Sequence, residues 1–146
     1  MWSQIVSSTI NSLPSILGAQ GGASGFPTFN TNGVDKAKLA TLRFILLGQR
    51  PDDEPVVRYM ETFKETSANP DNGPWAYTIP EDLVKLLAMM SPAEIPNISE
   101  AWAATEEARL DRWSANDLVA PLSELSAFAS GTLARAEAMF LIISLQ

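Results

Sequence analysis

Apolar residues recur at helical spacing along most of this chain, and turn-forming residues interrupt them at intervals. Trp2, Ile5, Val6, Ile10, Leu13 and Leu17 make the first stripe, with Ser and Gln between them and Pro14 placed to bend or end it. The pattern predicts an amphipathic N-terminal arm over 1–17, which either folds back on its own domain or contacts a partner or another copy of the chain. The Gly/Ser-rich run that follows reads as a flexible linker over 18–33. A helical domain over 34–146 completes the expected organisation.

Within that domain, 35–47 is expected as a helix with Leu39, Leu42, Ile45 and Leu46 inward and Gly48 as its left-handed stop. A second helix is expected from Val56 to about Thr66. Pro80 suits a first helical position, and Glu81 and Asp82 suit the positive end of the helix dipole. Pro96 argues for a short turn over 92–95 and a new start at Asn97. The main helix then runs from Ile98 to about Leu110. Ser114 opens the last helix with the spacing of a capping box, Pro121 kinks it or resets its start, and Gly131 loosens its end. Trp75–Ile79 alternates large and small residues between two prolines, while 139–145 is apolar and partly β-branched. Since a lone strand leaves its backbone unpaired, the two segments are expected to pair as a small two-stranded sheet, 75–79 with 139–145, the alternative being that 133–145 continues the last helix. The expected fold is thus mainly α, a bundle of five or six helices with that sheet.

Composition narrows the chemistry. The chain has no cysteine and no histidine, which excludes disulfides, thiolates and zinc–sulfur sites, and removes the commonest general base. The net charge of −7 is uneven. Residues 1–33 carry no charged side chain, whereas from Glu65 onward twelve acidic residues face four basic ones. Such a field repels nucleic acid and anionic lipid and attracts basic partners. No apolar run approaches the ~20 residues of a membrane helix, and the N-terminus lacks the form of a signal peptide. A cytoplasmic location is expected.

No catalytic arrangement emerges. Glu107 and Asp111 lie four apart on one helical face and could divide acid and base roles, but Arg109 and Arg112 sit among them and a solvated charged face accounts for all four. The chain lacks a G-x-S-x-G elbow and a phosphate loop. The acids at 52–54 and the turn at 69–74 lack the ligand spacing of a calcium loop, so neither metal nor cofactor is expected.

From Val34 onward the chain resembles an uncharacterised family of small acidic bacterial proteins. The likeness rests on Lys38–Leu42 with Gly48, Trp75 before Pro80, Ala101–Glu107, Trp113 with Asp117-Leu118, and the closing Phe140-Leu141 and Ser144-Leu145. Pro96 and Pro121 depart from the unbroken helices of that pattern. The resemblance implies no activity. The residues themselves favour a non-enzymatic binding protein, of the kind that neutralises a basic partner as immunity proteins do. Its contact surface would hold Glu100, Trp102, Glu106, Glu107, Asp111, Trp113 and Asp117. The alternative is an assembly subunit that docks through the arm.

Overall fold

Five strands and six helices make up the described part of the chain, which in this computed structural model comprises residues 2–9, 28–30, 34–66 and 74–144. The strands are β1 (Trp2–Ser8), β2 (Thr28–Asn30), β3 (Lys64–Glu65), β4 (Trp75–Thr78) and β5 (Ala138–Ser144). They form one antiparallel sheet in the order β2-β1-β5-β4-β3, with β5 at its centre. The helices are α1 (Lys36–Leu46), α2 (Asp53–Met60), α3 (Glu81–Ala88), α4 (Ile95–Ala103), α5 (Glu106–Leu110) and α6 (Ala115–Ala134). The mainly helical class holds.

The expected pairing of 75–79 with 139–145 is present, Trp75 opposite Ile143 through to Thr78 opposite Phe140. The sheet nevertheless has five strands instead of two. The largest correction lies at the N-terminus, where Trp2–Ser8 is an interior strand paired along its length with β5, not an amphipathic helix. The stripe spacing fits a helix, but neighbouring Ile5 and Val6 point to opposite faces of a strand and both are fully buried. A strand covered on both faces shows no alternation to betray it. Its partners Ser3, Gln4, Ser7 and Ser8 are also buried. Uncharged polar side chains tolerate this when hydrogen-bonded, and charged ones would not. Ile5 and Val6 are therefore part of the interior and unavailable as arm contacts, while Ile10, Leu13 and Leu17 lie outside the described residues.

The helices follow local chemistry. Asp35 caps α1 by accepting from the Lys38 N–H at 2.9 Å. Helix α2 starts at Asp53 and ends at Met60, six residues before the expected Thr66. The Thr62 hydroxyl donates to the Tyr59 carbonyl at 2.6 Å, an alternative to the helical ladder, and Phe63 turns into the core. Pro96 sits in the first turn of α4, which starts at Ile95 and so two residues before the expected Asn97. The expected continuous helix from Ile98 to Leu110 is split at Thr105. Its hydroxyl donates to the Trp102 carbonyl at 2.7 Å and accepts from the Ala108 N–H at 3.4 Å, ending α4 and capping α5. Ser114 caps α6, which runs unbroken through Pro121 and Gly131 to Ala134.

Three helices end in the same hydrogen-bonded turn. In each, the N–H two residues past the helix cap reaches back five residues: Gln49 to Phe44, Trp113 to Ala108, Glu137 to Thr132, at 2.8 to 3.0 Å. The residue before it has positive φ, namely Gly48 (71°), Arg112 (59°) and Ala136 (54°). Glycine is usual there, and the chain uses it once.

One hydrophobic core joins the layers. Ile5, Met139 and Leu141 of the sheet pack with Leu39, Leu42, Leu83, Leu87, Leu122 and Leu125 of the helices. Tyr59 ties α2 to α3 by donating its hydroxyl to Asp82 at 2.8 Å, and Arg43 of α1 stands over its ring. Burial, and the hydrogen bond to Asp82 after it, push the Tyr59 phenol well above its ordinary range, so the proton stays on it.

Candidate functional site

The acidic helices α4 and α5 are held to the core by a buried lysine. Lys38 points inward from α1, and its side chain is 5% exposed. An ammonium in such a place needs partners. It pairs with Asp111, lies 3.9 Å from Asp35, and stands 4.8 Å from the centre of the Trp113 ring. The backbone carbonyl of Lys38 accepts the Trp102 indole N–H at 3.0 Å. Trp102 itself is 2% exposed and meets Trp113 edge to face, with ring centroids 5.2 Å apart. The helix-ending turn at Arg112 makes this possible, because it places Asp111 and Trp113 on either side of the reversal and aims both at Lys38.

This arrangement sorts the expected contact residues. Trp102, Asp111 and Trp113 come together around Lys38. Trp102 fills the space between helices and has no surface to offer a partner. Asp111 is half-engaged with the lysine, and Trp113 is half-buried. Glu100 near the end of α4 is exposed, as is Glu106 in the first turn of α5, with Glu107 partly so. Asp117 is exposed too, and its carboxylate accepts from the Ser114 hydroxyl at 2.6 Å, so it serves the start of α6. Among the described residues, Glu94, Glu100, Glu106, Glu107 and Glu124 enter no ion pair. No described group of three acidic residues could hold a metal ion.

Sequence reasoning missed Lys38, because its partner lies 73 residues away and nothing local marks a lysine as buried. It also missed Leu110, which is 77% exposed on α5 and lines a shallow hollow with Ala104, Glu106 and Arg109. A signal for Leu110 existed, since Thr105-Glu106-Glu107 is a helix start, and the short helix it opens turns Ala108 inward and leaves Leu110 exposed.

A second polar network joins the chain's two ends. Ser7 of β1, fully buried, donates to Glu137 Oε1 at 2.9 Å and accepts from Arg135 Nη2 at 3.0 Å. Arg135 Nε donates to the same Glu137 oxygen at 2.7 Å, and Thr132 Oγ1 lies 2.9 Å from Ser7. The hydrogen bond from Arg135 holds the Glu137 carboxyl below its usual range, against the effect of burial and with help from Ser7. No described helix is long and apolar enough to cross a membrane. Comparison of the chain with protein-family models, with curated proteins and with solved structures finds no match.

Proposed function

We propose that this chain is a non-enzymatic binding protein whose α4–α5 surface, continued by the start of α6, docks a basic protein partner, as an immunity protein does with a toxin. The observation that supports it most is the set of surface carboxylates on these helices without an ion-paired cation, beside an exposed leucine. Glu100, Glu106, Glu107 and Asp117 supply the field that speeds encounter with a cation. Leu110 supplies the apolar anchor, and the partly exposed edge of Trp113 adds to it. Trp102 and Asp111 hold this surface in shape from behind. Arg109 in the same hollow offers a carbonyl or carboxylate of the partner a donor that fixes register.

Co-purification from the native host tests the reading, with the wild-type chain beside Leu110→Asp and the double variant Glu106→Lys/Glu107→Lys. The expected result is a basic protein that the wild type retains, that both variants lose, and whose retention falls as salt rises. Recovery of no basic partner, or a partner held equally by the charge-reversed variant, would overturn it.

A further inference from the structure

Successive residues of a strand point to opposite faces, and the register sorts the sheet into rows that alternate in the same way. Ile5, Leu141 and Tyr77 stand in one row across β1, β5 and β4. That row faces the helices, because all three residues belong to the core the helices share or pack against it. The rows on either side face the other way. One holds Gln4, Ile142 and Ala76, and the other Val6, Phe140 and Thr78.

This second face is apolar and covered. Val6 and Ala76 are 0% exposed, Phe140 1% and Ile142 2%. Yet among the described residues none of these four belongs to the core built with the helices. A buried phenylalanine hides roughly 150–250 Å², so a layer other than the helical one lies over the face.

The chain offers one internal segment suited to that place, residues 10–27, which lie outside the described residues. It joins β1 to β2, adjacent antiparallel strands with Val6 opposite Thr28, so it leaves and re-enters the sheet beside the face in question. It is far longer than the roughly two to five residues a hairpin connection needs. At up to about 3.3 Å per residue it can cross strands spaced about 4.8 Å apart and return. It carries Ile10, Leu13, Ile16, Leu17 and Phe26, and no charge that an apolar surface would strand. The other internal segments outside the described residues, 31–33 and 67–73, hold no large apolar side chain. A second copy of the chain would meet no free apolar surface here, since the four residues are already covered within one chain.

We propose that residues 10–27 form the covering layer of the sheet's second face, with Ile10, Leu13 and Leu17 seated on Val6, Phe140 and Ile142. The stripe that could have docked a partner is then spent inside the protein, and the first thirty or so residues are one unit with the helical domain. The proposal is independent of the acidic surface, because none of these residues belongs to α4 or α5.

The test is a search for nuclear Overhauser contacts in the full chain labelled at the methyl groups of Ile, Leu and Val. A mixture of labelled and unlabelled chain, in which only contacts between copies give a signal, runs beside it. Methyls of Ile10, Leu13 or Leu17 should contact those of Val6 and Ile142 in the first sample, with no counterpart in the mixture. In the full chain, Leu13→Asp/Leu17→Asp should raise the fluorescence of the apolar-surface dye 1-anilinonaphthalene-8-sulfonate several-fold, and Ser15→Asp should leave it unchanged. If the double variant does not fold, the contacts in the wild type decide alone. Absence of contacts to Val6 and Ile142, contacts only between copies, or unchanged dye binding in a folded double variant would each overturn the proposal.

Discussion

The three helix-ending turns allow a direct measurement of backbone strain in this fold. An L-residue in the left-handed region costs roughly 1–2 kcal/mol relative to its favoured conformations. Replacing it with glycine removes that cost but loosens the unfolded chain, which takes back about 0.4–1 kcal/mol. Arg112→Gly and Ala136→Gly should therefore each stabilise the protein by about 0.5–1 kcal/mol, since both positions carry positive φ. The reciprocal change is Gly48→Ala. A β-carbon built on Gly48 meets nothing within 4 Å, so no clash contributes and the variant reports backbone strain alone. It should destabilise by about 0.5–1 kcal/mol. Urea unfolding followed by tryptophan fluorescence gives all three values, and an unchanged slope with denaturant would show that the unfolded state stays comparable. For a domain of this size the shifts amount to roughly 2–4 °C in Tm per kcal/mol. If Ala136→Gly lowers stability, or Gly48→Ala leaves it unchanged, the strain assigned to these turns is wrong.

Two further expectations concern the buried charges. Asp111→Asn removes the main carboxylate from Lys38; breaking a buried pair costs about 3–5 kcal/mol, but Asp111 is 45% exposed and Asp35 remains close, so about 1–2 kcal/mol is expected. Lys38→Met, by contrast, leaves a half-exposed aspartate and an apolar filler, and should stay within about 1 kcal/mol of wild type; a larger loss than in Asp111→Asn would contradict the account. Glu137 sets a pH dependence. Its carboxyl is lowered in the folded state, so its contribution is complete above the ordinary carboxylate pKa of about 4.3 and fades as pH falls through the lowered value. The stability difference between wild type and Glu137→Gln should be flat from pH 7 to about 5 and shrink below about 4 in urea unfolding, and growth of that difference on acidification would rule this out.

Much of the local grammar was legible because each signal acts within a few residues. Asp35, Gly48, Pro80 and Ser114 all stand at helix ends, where their side-chain or backbone chemistry puts them. The pairing of β4 with β5 was legible too, since two short β-type segments needed partners and each was the other's best candidate. The N-terminal strand was not, because helical spacing and a strand buried on both faces produce the same apolar positions over seven residues. Its lack of charge was the informative feature: four of its seven side chains are polar, yet Ser3 to Ser8 are buried. Of the candidate surface, the acids were readable from composition, whereas the split at Thr105 decided which side of Leu110 faces water.

The two polar networks follow one design. In each, a helix ends in a turn that reverses the chain at a strained, non-glycine residue, Arg112 or Ala136. The residues on either side of it, Asp111 and Trp113 or Arg135 and Glu137, converge on a buried polar group from a distant part of the chain, Lys38 or Ser7. The strain and the long-range contact depend on each other, since an extended exit from either helix would carry the second residue of each pair away. Lys38 lies 73 positions from Asp111, and Ser7 lies 130 from Glu137. Each turn thus serves as a tertiary fastening, one holding the acidic surface to α1 and the other holding the first strand beside the last. That division of labour explains why Trp102 lies under the proposed contact surface and only an edge of Trp113 reaches it. A surface that works by charge needs a rigid base, and the Lys38 turn supplies one.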